Sequence, residues 1–186
     1  EAAMHVLRAL YGERERYAKQ RSAVTGIASP TINVGRIEGG TNTNVVPAKV
    51  VLKLDRRMIP EEDPAEVEAR LRAVIDGAMR GSAARVEVRR LLLARPLAPR
   101  PGHERLAEPL QRHARRVFGE TIPLTGTPLY TDARLYGEAG IPAVLYGAGP
   151  RTILEANAKR ADENLRLSDL QGATRVVAAT LADLLA

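Results

Sequence analysis

Residues 31–58 read TINVGRIEGGTNTNVVPAKVVLKLDRRM, and the fold turns on how that stretch divides. Residues 31–37 form a strand-like run, and the polar stretch 38–44 breaks it as a turn or loop. Residues 48–58 then alternate, with Val50, Leu52 and Leu54 on one face and Lys49, Lys53 and Asp55 on the other. That period of two predicts a half-buried antiparallel strand. The connection holds two asparagines and two threonines, and Asn44 stands directly before Val45-Val46-Pro47.

Outward from this hairpin the pattern becomes helical. Ala3, Val6, Leu7, Leu10, Tyr11 and Tyr17 predict a helix over 2–20, with Gly12 a blemish rather than a stop. Asp63-Pro64 opens a second helix, Asp63 as N-cap and Pro64 in the first helical position. Val67, Leu71, Val74, Ile75 and Met79 follow at helical spacing, and Gly81 closes it. Residues 84–93 (ARVEVRRLLL) predict a further strand. Helix, strand, strand, helix, strand is the order of a ferredoxin-like α+β sandwich lacking its first strand, which is expected ahead of Glu1.

Residues 94–103 hold three prolines and a glycine and form the best linker. They divide the chain into a domain over 1–95 and a segment over 96–186. In the second segment, residues 104–118 are helical in spacing, with Pro109 starting or kinking the helix. Residues 122–131 are expected to be extended, 132–139 helical, 141–146 (IPAVLY) a short buried strand, and GAGP at 147–150 a loop. Ser168 and Gln171 form a capping box that opens a last helix, which presents Leu170, Val176, Val177, Leu181 and Leu184 to a core. This half is α/β with too few strands for a complete sheet, and suggests the end of a larger α/β domain.

Composition excludes several classes of function. The 186 residues contain no Cys, so disulfide scaffolds, thiolate metal sites and cysteine nucleophiles are excluded. Aromatic residues make up only 3% and there is no Trp, so the core must be built from Leu, Val, Ile and Ala. No apolar run is long enough to span a bilayer, and EAAMHVLRAL is not a signal peptide, so a cytoplasmic protein without a membrane partner is expected. The net charge is +6, but Arg is interleaved with Glu and not with aromatics, which argues for a solvated surface and against nucleic acid.

The chemistry-bearing residues are scattered. GAGP lacks the lysine and glycine spacing of a phosphate cradle, and there is no G-x-S-x-G. His5 and His113 are expected to be solvated helix residues and His103 a solvated linker residue, none with a carboxylate partner. Polar residues cluster at Asn42 and Asn44, at Asp55 with Arg57, at Thr131-Asp132-Ala133-Arg134 and at Asp162-Glu163. Each has a plain explanation: a turn for Asn44, a cross-strand ion pair for Asp55 and Arg57, and an N-cap for Thr131-Asp132. From these residues alone no active site can be assembled.

Taken in order, G-R-I-x-G-G-x-x-x-N-V-V-P, D-R-R, T-D-A-R, G-I-P-A-V-x-Y-G-x-G and D-E resemble the zinc-dependent deacylase and exopeptidase family. That family includes acetylornithine deacetylase, succinyl-diaminopimelate desuccinylase, aminoacylases and glutamate carboxypeptidases. The resemblance implies a ferredoxin-like lid that dimerises, here 1–95, followed by the C-terminal part of an α/β catalytic domain that holds two zinc ions, here 96–186. It also implies that Asn44 and Arg57 bind substrate or its carboxylate, reaching it from the partner subunit's lid, and that Thr131, Asp132 and Arg134 line the substrate side of the catalytic domain. The family's His-x-Asp motif, bridging aspartate, Glu-Glu pair and lid histidine are absent from these residues. Lys159 stands where the resemblance places a histidine ligand, and an ammonium has no lone pair for a metal. Asn157 is a poor alternative donor. With most ligands and the general base missing, no catalytic residue and no bound zinc is expected in this chain alone.

Two functions remain in view. One is a fragment of a homodimeric, metal-dependent amide hydrolase acting on N-acyl or carbamoyl amino acids or small peptides. The other is a non-catalytic dimerisation or ligand-binding module.

Overall fold

The computed structural model describes residues 1–149, 152 and 154–186. Seven elements follow in order: α1 (Ala2–Tyr17), β1 (Thr31–Gly39), β2 (Val50–Arg57), α2 (Pro64–Ala78), α3 (Glu104–Phe118), α4 (Ala133–Glu138) and α5 (Leu167–Leu185). They fall into two compact units, Glu1–Pro96 with Gly126–Leu129, and Leu97–Thr125 with Tyr130–Ala186. No helix among the described residues is long and apolar enough to cross a membrane.

In the first unit, β1 and β2 form an antiparallel two-stranded sheet whose register runs from Thr31 opposite Arg57 to Gly39 opposite Val50. The register slips by one residue between Val34 and Arg36, leaving Gly35 as a bulge. The slip changes which residues face inward: Ile32 and Val34 share a face with Ile37, opposite Arg56, Leu54 and Leu52. Onto this face pack α1 and, behind it, α2. Val6, Leu10, Tyr17, Ile32 and Ile75 make the buried core, with Val34, Leu52, Leu71, Val74 and Val88 around it. Each such side chain contributes roughly 1.5–3 kcal/mol by leaving water. The α2 cap forms as its sequence dictates, with Asp63 Oδ1 accepting from the amides of Ala65 (2.8 Å) and Glu66 (3.0 Å) ahead of Pro64.

Residues 84–93 do not form the expected strand. Val88 reaches the core, but a strand needs a neighbour to bond, and none lies beside this segment among the described residues.

In the second unit, α3 packs on α5. The expectations for this half need four corrections. Pro109 does not start α3, one of the two places expected for it; it is buried in the helix interior, five residues after the first. Residues 141–146 are neither a strand nor buried: Ile141 and Leu145 are exposed, because no described strand is present for them to pair with. The capping box does not form, since α5 begins at Leu167 after Arg166, which places Ser168 inside the first turn. The buried stripe of α5 is Gly172, Ala173, Val176 and Thr180, while Leu170, Val177, Leu181 and Leu184 are exposed. The loop expected at 147–150 ends on Pro150, outside the described residues.

Close packing explains the choice of small residues on α5. A Cβ on Gly172 would sit 2.4 Å from Phe118 Cε1, so the α3–α5 contact requires glycine there.

Candidate functional site

The sheet positions the first two candidates, and it separates them. Asn44 lies in the loop between Gly39 and Val50, at the closed end of the ladder, and it is exposed. Asn42 shapes that loop: its side-chain oxygen accepts from the Thr43 amide at 2.7 Å and its carbonyl from the Val45 amide at 3.3 Å. Val45 and Val46 sit exposed beside Asn44, Val46 at 89%. Arg57 is at the open end, opposite Thr31. The eight residues of β2 put about 24 Å of strand between the two ends. Asn44 and Arg57 thus belong to opposite ends of the hairpin. Arg57 is engaged locally, its Nε 2.8 Å from Asp55 Oδ1, both side chains about half exposed. That pair lies along one strand, not across two as expected, and an exposed pair of this kind adds little stability.

Thr131, Asp132 and Arg134 come together at the start of α4. Asp132 is the N-cap residue but makes no capping bond; Thr131 Oγ1 accepts from the Ala133 amide at 3.3 Å instead. Arg134 donates from Nε and Nη2 to the Tyr130 hydroxyl (3.3 and 3.0 Å) and from Nη1 to Glu138 Oε1 (3.0 Å). The Tyr130 hydroxyl, and then Glu138, raise its pKa above the ordinary arginine value. A planar fork of this kind suits a carboxylate, and Glu138 already occupies part of it. A carboxylate ligand would have to displace Glu138.

Lys159 lies in a loop with an unusual backbone. Asn157, Lys159 and Asp162 all have left-handed φ values, 50°, 61° and 64°. Such residues cost roughly 1–3 kcal/mol each and persist only where neighbours hold them. Here the holding bonds run from Asn157 Nδ2 to the Ala161 carbonyl (2.5 Å), from Asn164 Nδ2 to the Asp162 carbonyl (2.8 Å) and from the Lys159 amide to Glu163 Oε2 (2.9 Å). Asn157 and Glu163 are thus spent on the loop itself. Among the described residues no three His, Asp or Glu side chains are grouped as metal ligands would be. With Lys159 in place of a histidine and Asn157 turned to Ala161, the donors among the described residues do not fit a zinc pair.

Two polar clusters, each built on one buried side chain, are not evident in the sequence. His113 is 7% exposed, not solvated, and its Nε2 lies 2.6 Å from Asp183 Oδ2 on α5. Arg112 Nη2 reaches the same oxygen at 2.5 Å. The bonds from His113 and then Arg112 hold the Asp183 carboxyl below its ordinary value. The clue was spacing: Leu106, Leu110, His113 and Val117 lie three or four apart on α3. His103 also has partners, its Nδ1 2.8 Å from the Arg100 carbonyl and 3.2 Å from Glu104 Oε1. Both corrections have one cause, that a partner distant in sequence or across a turn is invisible to composition.

The second cluster is Arg56, which alternation places on the inward face with Leu52 and Leu54. Its guanidinium stacks 4.0 Å over the Tyr17 ring, and its Nη2 lies 2.5 Å from Glu62 Oε1. Glu62 Oε2 in turn accepts from the Ile59 amide at 3.0 Å. This knot ties the end of α1, the end of β2 and the turn before α2. It is a structural fixture of the first unit.

Comparison with known proteins adds what geometry cannot. Residues 1–82 match the M20_dimer family model, described as a peptidase dimerisation domain. Indole-3-acetyl-aspartic acid hydrolase of Enterobacter agglomerans is 41% identical over 71 residues, 38% of this chain and 16% of that protein. The uncharacterized protein YqjE of Bacillus subtilis (strain 168) is 29% identical over 136 residues, 73% of this chain and 36% of that protein. Among solved structures, an M20 family metallo-carboxypeptidase, Sso-CP2 from Sulfolobus solfataricus, matches with a TM-score of 0.60 and 16% identity over 96% of this chain. That match covers 43% of the Sulfolobus chain, and the two relatives are spanned to 16% and 36%, so this chain matches less than half of the length of each. At this identity the structural match speaks for the fold alone. The family model and the solved structure carry the same family name, the M20 peptidases, and it is to them that this chain is similar.

Proposed function

We propose that this chain belongs to the M20 metallopeptidases and is the lid and C-terminal catalytic segment of a metal-dependent amide hydrolase. The observation that carries the reading is the fold match over 96% of the chain to a metallo-carboxypeptidase, together with the dimerisation-domain match over residues 1–82. The substrate class is an N-acyl or carbamoyl amino acid or a small peptide, in line with the hydrolase relative, whose named substrate joins an acyl group to aspartic acid. In the intact enzyme Asn44 and Arg57 contact substrate. Their positions, Asn44 in the loop at one end of the hairpin and Arg57 at the other end of β2, support a reading in which they serve different sites of a homodimer through the lid. Thr131, Asp132 and Arg134 line the substrate side of the catalytic segment, where the planar fork of Arg134 suits a substrate carboxylate. Zinc is the metal, the enzyme is cytoplasmic, and most of the metal ligands come from outside these residues.

The chain by itself is then expected to be inactive, because the family motifs that would supply most metal ligands and the general base do not occur in its sequence. Incubating it with zinc and a panel of N-acyl amino acids should give no turnover above buffer; clear turnover sinks this part of the reading. The second reading, a non-catalytic dimerisation or ligand-binding module, is favoured by Lys159 at the ligand position. Substitution Lys159→His in the longest natural form of the protein separates the two. A gain of metal-dependent turnover supports a degenerate relative, whereas activity already present with Lys159 supports the enzyme.

A further inference from the structure

The first unit carries a groove of about 460 Å³ between the first half of α2 and the segment that follows that helix. One wall runs along α2 from Pro64 to Arg72, and the other holds Arg90, Leu93 and Arg95. Five charged side chains line it: Asp63, Glu68, Arg72, Arg90 and Arg95. Three guanidiniums against two carboxylates leave the groove with one positive charge.

Both carboxylates are already committed. Asp63 caps α2 through the amides of Ala65 and Glu66. Glu68 Oε1 accepts from Arg72 Nε (3.0 Å) and Nη2 (2.8 Å), and Glu68 Oε2 accepts from Arg90 Nη1 (2.7 Å). The bonds from Arg72 and then Arg90 hold the Glu68 carboxyl below its ordinary pKa. Arg72 Nη1 also donates to the Val88 carbonyl at 3.0 Å, which fixes the fork and ties the far wall to α2. The other two arginines keep donors to offer. A guanidinium has five N–H groups. Arg90 uses one of them on Glu68, and Arg95 makes no hydrogen bond or ion pair among the described residues. Beside them Pro64, Ala65, Ala69 and Leu93 supply apolar surface. The arginines in the last turn of α3, Arg115 and Arg116, have a simpler account, since cations there complement the helix dipole.

We propose that this groove binds a small organic carboxylate. The carboxylate oxygens accept from the free N–H groups of Arg90 and Arg95, and a short apolar body lies against Leu93, Ala69 and Pro64. Glu68 and Arg72 touch no ligand in this arrangement; they are positioning residues that hold Arg90 in place. A single carboxylate cancels the charge of the groove, whereas a phosphate dianion overshoots it. The site does not depend on the hydrolase reading. Binding is read directly, so a protein without turnover leaves it untouched.

The test is titration of the full chain with butyrate, formate and inorganic phosphate at fixed ionic strength, following the arginine Nε–H signals by NMR. Butyrate should move the Arg90 and Arg95 signals along one saturating curve and bind more tightly than formate or phosphate. Arg95→Gln, at an exposed and unpartnered side chain, should weaken butyrate binding by about fivefold or more and leave the melting temperature of the free protein unchanged. Arg89→Gln removes an exposed arginine of the same segment that does not line the groove, and it should leave butyrate binding as it was. Four outcomes overturn the proposal. These are no saturable shift at Arg90 and Arg95, an equal loss with Arg89→Gln, phosphate binding as tightly as butyrate, or formate doing so. The second would mean general attraction to a basic surface.

Discussion

Asp183 shows most directly how a single side chain sets the behaviour of the second unit. Its carboxylate takes bonds from His113 and Arg112 and so joins the last turns of α5 to α3. Because those bonds depress its pKa below the ordinary 3.8, the folded form is favoured wherever the carboxylate is ionised. The contribution is complete above the unfolded value and fades as pH falls through the lower folded one. Asp183→Asn should therefore lower the melting temperature near neutral pH, and the gap from the parent should close in acid, below about pH 3. Thermal denaturation from pH 2 to 7 measures it; a gap that persists undiminished in acid would assign the effect to packing. Lys159 teaches the complementary lesson. Its identity was plain in the sequence, but not that it sits in a left-handed loop locked by Asn157 and Glu163.

At the scale of elements, caps and close contacts set what each helix tolerates. Asp63→Ala removes the acceptor for two α2 amides and should cost about 1 kcal/mol, while Asp63→Ser should restore most of it. Urea unfolding followed by far-UV circular dichroism distinguishes the two variants. On α5, Gly172→Ala sets a methyl against the Phe118 ring, where a few tenths of an ångström are not enough, and should destabilise by about 1–3 kcal/mol. The same change at the open Gly12 of α1, which meets nothing within 4 Å, should stabilise by roughly 0.5–1 kcal/mol. Sequence periodicity located α1, both strands of the hairpin, α2 and α3 because each carries its own repeat. It failed where an element depends on a neighbour: the alternation at 84–93 and the apolar run IPAVLY cannot become strands without partners to bond. For α5 the periodicity was ambiguous. Val176 and Val177 belong to opposite stripes, and only the position of α3 decides which one is buried.

On the scale of the whole molecule, the fold was legible as an order of elements and the site was not. Asn44 and Arg57 look like neighbours at thirteen residues' separation along the chain. Antiparallel pairing sends them to opposite ends of one hairpin, and only the register shows it. The proposed use of both by substrate brings in a second lid. The chain should accordingly run in solution as a homodimer, about 40 kDa from two chains of 20.2 kDa each. Light scattering coupled to size exclusion checks the mass, and a monomer at micromolar concentration would remove the shared-site arrangement.

The bulge at Gly35 bears on how this hairpin can change in length. All eight cross-strand pairs involve residues on either side of it, and Val34, Arg36 and Ile37 already face Leu54, Lys53 and Leu52 in unbroken alternation. Deleting Gly35 would therefore preserve every pair and every inward side chain, whereas deleting any one of its neighbours would not. The first strand can lose one residue and remain the same strand in register, but it would lose its local kink. A straight outer edge invites other chains to add to it, so the shortened homologue would be expected to fold as well and to aggregate more readily.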